Sequence, residues 1–331
     1  MLARRDDVYR AYWTFAAKRQ QAFLARTAGA AAPWTDDAII ARFKFTNAFR
    51  ASDRVSQFLI RDVIYQHGFS ADDTLTRIVL FRLFSKISTW RELERTLGPV
   101  RRRTVSSPRL APALEALQAK GPIYTSAFIL CANDAYGYRR KFMNHIALVR
   151  HMFAGRALPT AVAQARTLED VYRALLAYPL IGPFMAYQLA IDINYSELVD
   201  FDEDDFTVAG PGAERGIKKV FPTAERRDLR PIIDWMTANQ AEEARRVGVA
   251  APTLFGRPLH AIDCQNLFCE LDKYARVAFP ELKSNRSRIK TSFSPTPEPL
   301  ALFYPPKWRI NERARAHQAG QAAQLALDVA A

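Results

Sequence analysis

Apolar residues recur with a helical period along most of the chain. Leu75, Ile78, Val79 and Leu83, for example, fall on one face of a helix. Only the run 122–131 has the composition of a strand. Further helices are predicted near residues 8–24, 38–50, 89–97, 109–119, 136–155, 167–177, 183–195, 224–247, 260–279 and 309–328. The pattern therefore predicts an all-α fold.

Breaks rich in proline or basic residues interrupt this pattern at 99–112 and at 280–306. The 331 residues suffice for one large domain or two packed ones, and a hydrophobic fraction of 49% indicates a folded core. We expect an N-terminal helical half at 1–120 and a second half at 121–280 that pack around one cleft. A basic segment with a C-terminal helix is expected at 281–331.

The charge balance is strongly basic, with 47 Lys and Arg against 34 Asp and Glu. This excess favours nucleic acid as a partner before an anionic membrane, although solvated basic surfaces are common. No apolar run approaches the ~18 residues of a membrane span, and the N-terminus has no export signal. We expect a cytoplasmic protein that binds double-stranded DNA without an obligate protein partner and without a membrane.

The cysteine and histidine content argues against a metal centre. Cys131, Cys264 and Cys269 form neither a CxxC pair nor a disulfide framework, and the five histidines are scattered. Four-cysteine clusters and zinc signatures are therefore not predicted, and no cofactor is expected. Cys264 and Cys269 are interpreted as core residues.

Pro179 and Gly182 make a tight turn between two apolar helices, the outline of a helix–hairpin–helix. Backbone N–H groups at the start of the second helix, near Ile181 and Gly182, can hold a DNA phosphate without reading sequence. The alternative is an ordinary turn between two helices.

Acidic residues are concentrated between Glu197 and Asp205 in this otherwise basic chain. Asp200, Asp202 and Asp205 are the candidate catalytic carboxylates. A carboxylate can stabilise positive charge on a sugar or activate a nucleophile. The alternative is a solvated acidic loop that caps the next helix.

A glycine turn and two lysines follow the acidic run. Gly210 and Gly212 are predicted to form a backbone anion nest, which Lys218 and Lys219 would reinforce as DNA contacts. The alternative is a plain junction between a loop and a helix.

Two polar stripes are predicted on otherwise apolar helices. Asn47, Arg50, Arg54 and Gln57 share one face of the first helix, where they can contact a base edge or a phosphate. The alternative is a solvated face on which Asp53 pairs with a neighbouring arginine. The second stripe is interpreted as a buried network that orients the site, and it comprises Asp263, Asn266, Glu270, Lys273 and Tyr274.

Basic and aromatic stretches at Arg101–Arg103 and Lys283–Lys290 are predicted to line a DNA path through phosphate contacts. Between them, Tyr136 or Tyr138 can stack on a base while Arg139 and Arg140 contact phosphates. Each stretch is explained equally well as solvated surface.

Three motifs occur in order, FTNAFRASDRVSQ at 45–57, DFTVAGPG at 205–212 and DCQNLFCELDKY at 263–274. Together they resemble the α-glutamyl/putrescinyl thymine pyrophosphorylase family, which is itself similar to helix–hairpin–helix DNA glycosylases. The resemblance implies work on hypermodified bases in phage DNA, and it places Phe45 with the polar stripes at the base. It also implies a catalytic aspartate one helix and a turn beyond the hairpin, within 200–205.

The resemblance is compatible with three functions. The chain excises a base such as glucosylated hydroxymethylcytosine in antiphage defence, replaces pyrophosphate on 5-pyrophosphoryloxymethyluracil with an amine, or only binds modified DNA. The sequence has no GxxxxGK[ST] motif and no evident pocket for an amino-acid carboxylate, which favours excision by base flipping. Phe184 stands where bifunctional glycosylases carry a lysine. The prediction is therefore a monofunctional DNA glycosylase that leaves an abasic site.

Overall fold

The computed structural model describes residues 3–125, 134–282, 284, 286, 288–289, 291–295 and 300–330. These residues form helices and loops without a β-strand, and two isolated antiparallel bridges pair Phe43 with Ser292 and Leu254 with Arg257. The all-α prediction is confirmed. Most of the strand-like run 122–131 lies outside the described residues, as do Cys131, Lys283 and Lys290.

The α-helices of the described residues have the following bounds: α1 (Asp6–Thr27), α2 (Ala38–Arg42), α3 (Arg54–Phe58), α4 (Ala71–Phe84), α5 (Ile87–Leu97), α6 (Arg102–Ser106), α7 (Leu110–Lys120), α8 (Lys141–Phe153), α9 (Ala157–Gln164), α10 (Leu168–Leu176), α11 (Pro183–Asn194), α12 (Pro211–Val220), α13 (Leu229–Ala238), α14 (Gln240–Arg246), α15 (Ala261–Ala278) and α16 (Asn311–Ala330). A π-helical turn, Leu59–Ile64, follows α3. Side-chain caps define several of the starts. Ser70 Oγ, for instance, accepts a hydrogen bond from the Asp73 amide at 3.1 Å.

The helix predicted over 38–50 is wrong beyond its first turn. α2 ends at Arg42, and the next seven residues have no helical structure before a short 3₁₀ turn at Arg50–Ser52. Backbone hydrogen bonds from Lys44 to Thr291 at 3.0 Å and from Phe293 to Arg42 at 2.9 Å hold this segment extended. Partners distant in sequence therefore override the local helical pattern.

Two compact units divide the chain, one formed by Met1–Arg54 with Phe206–Ala331 and the other by Val55–Asp205. They differ from the predicted boundaries near residues 120 and 280, because α1 packs against α12 and α15. In the first unit the ring of Tyr12 lies 4.6 Å from that of Phe268. This aromatic packing fixes α1 on α15, the helix that carries the second polar stripe.

Helices α12 and α15 approach closely in the first unit because glycines line their contact. A Cβ atom at Gly212 would collide with the Cys269 side chain, and one at Gly216 would collide with the Phe268 carbonyl. Only glycine permits the backbones this separation. The C-terminal motif of the chain is thereby packed directly against the GPG motif.

The second unit has its own core around α4, α8 and α11. Arg82 on α4 and Asp192 on α11 form a fully buried ion pair, with Nη2 and Oδ1 2.8 Å apart. Complete pairing of this kind is what a buried charge requires. None of the helices within the described residues is long and apolar enough to cross a bilayer.

Candidate functional site

The extended segment between α2 and α3 is fixed to α15 by hydrogen bonds. The Thr46 amide donates to Glu270 Oε2 at 3.1 Å, and the Arg50 amide donates to Asp263 Oδ1 at 2.8 Å. Asn266 Nδ2 donates to Thr46 Oγ1 at 3.0 Å. Polar side chains from successive turns of α15 thus satisfy a backbone that cannot bond to itself as a helix would.

Arg19 on α1 holds the same segment from the other side. Its Nε donates to the Thr46 carbonyl at 2.9 Å, and its Nη2 donates to Asn47 Oδ1 at 2.5 Å. The side-chain nitrogen of Asn47, Nδ2, in turn donates to the Ser52 carbonyl at 2.7 Å. Burial lowers the pKa of Arg19, although nearby carboxylates oppose that change. The guanidinium is therefore a positive charge enclosed by protein.

Asp53 follows the 3₁₀ turn directly, and Ser52 before it shares a 3.0 Å hydrogen bond with the buried Tyr304 hydroxyl. Asp53 Oδ1 accepts the Asn47 amide at 2.8 Å, while Oδ2 accepts no hydrogen bond from the described residues. Part of the residue stays accessible. Burial of its carboxyl nevertheless raises the pKa of Asp53 to about 7, against the Asn47 hydrogen bond and the charge of Arg19. Such a carboxyl gains and loses a proton near neutral pH.

The edge of this region combines a carboxylate with a more exposed cation. Lys273 Nζ lies 2.5 Å from Glu270 Oε2, and the side chains are 27% and 3% exposed. The same nitrogen lies 5.3 Å from the centre of the Phe45 ring. Tyr274 donates to Asp37 Oδ2 at 2.8 Å, and burial raises the pKa of Tyr274. The positive charge of Lys273 is thus at the surface with its counter-charge beneath it.

We refer to these residues as the Asp53 cluster, which comprises Arg19, Thr46, Asn47, Asp53, Asn266, Glu270 and Lys273. Asp53 and Asn266 hydrogen-bond to the N–H and the C=O of the same residue, Asn47. Asn266 Oδ1, like Asp53 Oδ2, accepts no hydrogen bond from the described part of the chain. The cluster therefore combines two acceptor atoms with the cation of Lys273. Asn266 Oδ1 can accept a hydrogen bond from an N–H group of a nucleobase, and Asp53 Oδ2 can accept a proton from a substrate.

Phe45 and most residues of the two predicted stripes meet at or beside this cluster. The stripe residues concerned are Asn47, Arg50, Asp263, Asn266, Glu270, Lys273 and Tyr274. Their roles in binding a base stay predictions. The common helical face predicted for Asn47, Arg50, Arg54 and Gln57 is wrong, because α3 begins only at Arg54. Arg54 stands one residue beyond Asp53.

Four residues of the region were not predicted from sequence: Arg19, Asp37, Thr46 and Asp53. A signal for Arg19 exists, since it occupies a position between Ala16 and Phe23 on the apolar face of α1. A cation on a buried stripe requires an anionic or carbonyl partner. Asp53 was assigned only as a partner of a neighbouring arginine.

The glycine turn does not have the conformation of the predicted anion nest. Gly210 is the N-cap of α12, with φ −70° and ψ 165°, and Gly212 lies in the first turn of that helix. Neither has the left-handed backbone that alternates with right-handed residues in a nest. Gly212 is needed instead for contact with Cys269. The two lysines also separate, since Lys218 is exposed and pairs with Glu214 at 2.7 Å.

Lys219 is buried in a second group of charges, which we call the Asp272 cluster: Asp272, Lys219, Arg215 and Arg276. Lys219 Nζ lies 2.8 Å from Asp272 Oδ1, and Arg276 Nη2 lies 2.6 Å from Oδ2. Burial opposes ionisation, but the hydrogen bonds from Lys219 and Arg276 hold the pKa of Asp272 below its usual value. With 5% exposure, Lys219 cannot make the DNA contact predicted for it.

The predicted hairpin and acidic run belong to the second unit. α10 and α11 are joined by a turn in which Leu180 is left-handed, Ile181 is buried and Gly182 is the exposed N-cap of α11. Asp200, Asp202 and Asp205 are all exposed. Their catalytic role and the phosphate contact of the hairpin stay predictions.

The loop with Tyr138, Arg139 and Arg140 is exposed, and a buried side chain gives it its shape. Asn144, 1% exposed, donates to the Tyr138 carbonyl at 2.6 Å and accepts the Tyr136 amide at 3.1 Å. Tyr138 remains 41% exposed, and Arg140 pairs with Glu115. The loop is thus a held surface feature, as a DNA contact would require.

Comparison with known proteins identifies relatives that act on a modified nucleotide in DNA. A family model described as "5-hmdU DNA kinase, helical domain" matches residues 6–284. A 5-hmdU DNA kinase of Bacillus phage SP10 is 26% identical over 266 residues, which cover 74% of this chain and 41% of the relative. The chain thus spans about two fifths of the length of that relative. No solved structure matches.

These relatives overturn the predicted activity. A kinase transfers a phosphoryl group and leaves the N-glycosidic bond intact, so the prediction of a hydrolytic, monofunctional DNA glycosylase is wrong. The helix–hairpin–helix glycosylase fold is likewise not established by the described helices. The transferase alternative agrees better with the relatives.

The matched residues include helices α12 and α15, the Asp53 cluster and the Asp272 cluster. The match covers well over half of the chain, and the description of the family names a modified thymine nucleotide in DNA. This chain belongs to the family of 5-hmdU DNA kinase helical domains.

Proposed function

We propose that this chain recognises 5-hydroxymethyldeoxyuridine, or a phosphorylated derivative of it, in double-stranded DNA and performs group transfer at the 5-substituent. The observation that carries the proposal is the family match over residues 6–284, which contains the whole Asp53 cluster. The basic surface, with a formal net charge of +13, suits a DNA substrate.

The chemistry at the 5-hydroxymethyl group requires a general base, that is, a side chain that accepts a proton near neutral pH. In phosphoryl transfer the hydroxyl oxygen bonds to phosphorus, the bond from phosphorus to the leaving group breaks, and the hydroxyl proton must be accepted. We assign that proton to Asp53, because its pKa of about 7 matches a general base at physiological pH. Lys273 supplies positive charge for the phosphoryl oxygens.

Recognition of the base is assigned to Asn266. Its Nδ2 is held by Thr46 Oγ1 and by the Asn47 carbonyl, so its Oδ1 has a fixed direction. A uracil ring offers an N3–H donor, which an amide oxygen can accept. Asn266 and Asp53 both hydrogen-bond to the backbone of Asn47. The same residue therefore orients the amide that would bind the uracil ring and the carboxylate that would accept the proton.

A second reaction at the same 5-substituent is replacement of pyrophosphate by an amine. What supports this reaction is the resemblance of the motifs at 45–57, 205–212 and 263–274 to the α-glutamyl/putrescinyl thymine pyrophosphorylase family. The amine nitrogen bonds to the 5-methylene carbon, pyrophosphate departs, and Asp53 accepts the proton from nitrogen. Both reactions need the same base, so one variant tests both.

The test uses duplexes that contain 5-hydroxymethyldeoxyuridine with ATP and Mg²⁺, and duplexes that contain its pyrophosphoryl derivative with an amine. Nucleosides are then analysed by mass spectrometry. We expect a product heavier by a phosphate group in the first reaction or one carrying the amine in the second. Release of a free base, or unchanged nucleosides in both reactions, would contradict the proposal.

Variants locate the proton acceptor. Asp53→Asn should lower turnover by about 10²- to 10⁴-fold and retain DNA binding. Asp202→Asn and Asp205→Asn serve as matched carboxylate changes in the exposed run predicted from sequence. Loss of turnover in an exposed-run variant, with Asp53→Asn fully active, would move the assignment to that run. The hairpin at Ile181 and Gly182 is proposed as a phosphate contact of the same substrate.

A further inference from the structure

An open cavity of about 780 Å³ in the second unit is lined by serines, aspartates and arginines alone. The lining residues are Ser70, Asp72, Asp73, Arg101, Arg102, Arg103 and Ser106. Neither the family match nor the Asp53 cluster gives these side chains a role. The cavity brings the Arg101–Arg103 run together with the start of α4.

The carboxylates in this cavity are covered by the arginines that they bind. Asp72 pairs with Arg102 at 3.3 Å and with Arg156 at 2.8 Å. Asp73 pairs with Arg101 at 2.9 Å. The two aspartate side chains are 14% exposed, whereas the three arginine side chains are 30%, 40% and 61% exposed. The surface that solvent meets is therefore positive.

The charges in the cavity do not balance. Arg103 is exposed and has no ion pair among the described residues. Three lining arginines thus stand against two lining carboxylates, and Arg156, outside the lining, adds a fourth guanidinium group beside Asp72. Two positive charges remain for an external anion. An excess of positive charge around a concave surface concentrates anions there.

The arginines are also held in place before any ligand arrives. Arg102 donates through Nη2 to the Phe153 carbonyl at 3.0 Å, and the Arg102 amide donates to Asp73 Oδ1 at 2.8 Å. Arg101 lies over the Phe69 ring at 4.5 Å. Because these contacts already restrict the side chains, less conformational entropy is lost when an anion binds.

The lining defines the class of ligand. Guanidinium groups in this number suit the oxygens of a phosphate, and the hydroxyls of Ser70 and Ser106 can add hydrogen bonds. None of the described residues that line the cavity is apolar or aromatic, so they offer a nucleobase no wall against which to stack. We propose that this cavity binds a backbone phosphate of DNA, and that it contributes affinity without reading the base.

This inference rests on the proposed function only in taking DNA as the polyanion. It is tested on unmodified duplex DNA, where the chemistry of the Asp53 cluster has no part. Failure here leaves the turnover test above untouched, and failure of turnover leaves this binding test intact.

The central experiment compares Arg103→Glu with Arg95→Glu. Both residues are exposed arginines of the second unit, and Arg95 pairs with Glu92 on α5, outside the cavity. We expect Arg103→Glu to weaken binding about tenfold in low salt and to reduce the slope of log Kd against log salt by about one unit. Arg95→Glu should change affinity by less than about twofold. Circular dichroism and melting curves check that both variants fold.

A reversed change sharpens the test. Asp72→Asn removes one of the two carboxylates, so DNA should bind more tightly, by about two- to fivefold. Equal losses in Arg103→Glu and Arg95→Glu, or weaker binding of Asp72→Asn, would overturn the proposal. A competition series with ATP and with inorganic phosphate separates the sources. Tight ATP binding that depends on Arg103, with DNA affinity unchanged, would assign the cavity to a nucleotide instead.

Discussion

Two carboxyl groups associated with helix α15 illustrate opposite uses of burial. Asp272 lies among three cations, and its pKa is held low by the hydrogen bonds of Lys219 and Arg276 despite burial. Asp53 accepts one backbone hydrogen bond, and burial raises its pKa to about 7. Complete compensation makes a carboxylate a structural anion, whereas partial compensation leaves it ready to exchange a proton.

The largest expected effect is on the compensated group. Asp272→Ala leaves Lys219 buried without its anion and should lower the free energy of unfolding by about 3–5 kcal/mol. Urea unfolding at pH 7 measures this loss. Asp234 pairs with Arg230, and the Asp234 side chain is 40% exposed. Asp234→Ala should therefore lower the free energy of unfolding by no more than about 1 kcal/mol. Equal losses in the two variants would remove the distinction between the clusters.

The next effect is catalytic. Asp53→Asn keeps the shape of the side chain but cannot accept the proton, so turnover should fall by about 10²- to 10⁴-fold. The variant should remain as stable as the parent at pH 7 or become more stable. Steady-state rates on the modified duplex, together with urea unfolding, give both quantities. A rate within about threefold of the parent would return Asp53 to a purely structural role.

The pH dependence of stability separates the two carboxyls by sign. The folded-state pKa of Asp53 lies above its unfolded value, so its contribution is complete below pH ~3.9 and is lost as the pH rises to about 7. The slope is at most about 1.4 kcal/mol per pH unit, reduced because the residue is partly accessible. For Asp272, whose folded-state pKa is lowered, stability is lost as the pH falls through that value. Subtracting the unfolding curves of Asp53→Asn from those of the parent should isolate the first slope.

The smallest effect concerns the lysine next to Lys219. Lys218 is 43% exposed, so Lys218→Ala should change stability by no more than about 0.5 kcal/mol. Lys219→Ala should cost several times as much, because it leaves Asp272 with fewer partners. Thermal melts of both variants measure the ratio. Similar values would contradict the burial difference between these adjacent residues.

The sequence is a good guide where contacts are local. Periodicity alone predicts α10, α11 and α15 to within two residues, and the spacing of Asp263, Asn266 and Glu270 places them on one side of α15. It fails at the extended segment, whose hydrogen-bond partners on α15 lie more than 200 positions away in the chain.

The same limit applies to charge. Lys218 and Lys219 are identical in sequence character, and only the packing of α12 on α15 buries the second one against Asp272, 53 positions away. Asp53 is a comparable case, since its raised pKa arises from the enclosure that α1, α15 and the Tyr304 segment create. A titration property of this kind has no local sequence signature.

The hydrogen bond between Ser52 and Tyr304 joins two segments that lie 252 positions apart in the chain. Ser52 lies inside the residues that match the family, and Tyr304 lies beyond them. The turn that carries Asp53 is therefore supported by α15 on one side and by the segment around Tyr304 on the other. A change at Tyr304 would therefore alter the support of the Asp53 turn while every residue of the Asp53 cluster stays in place.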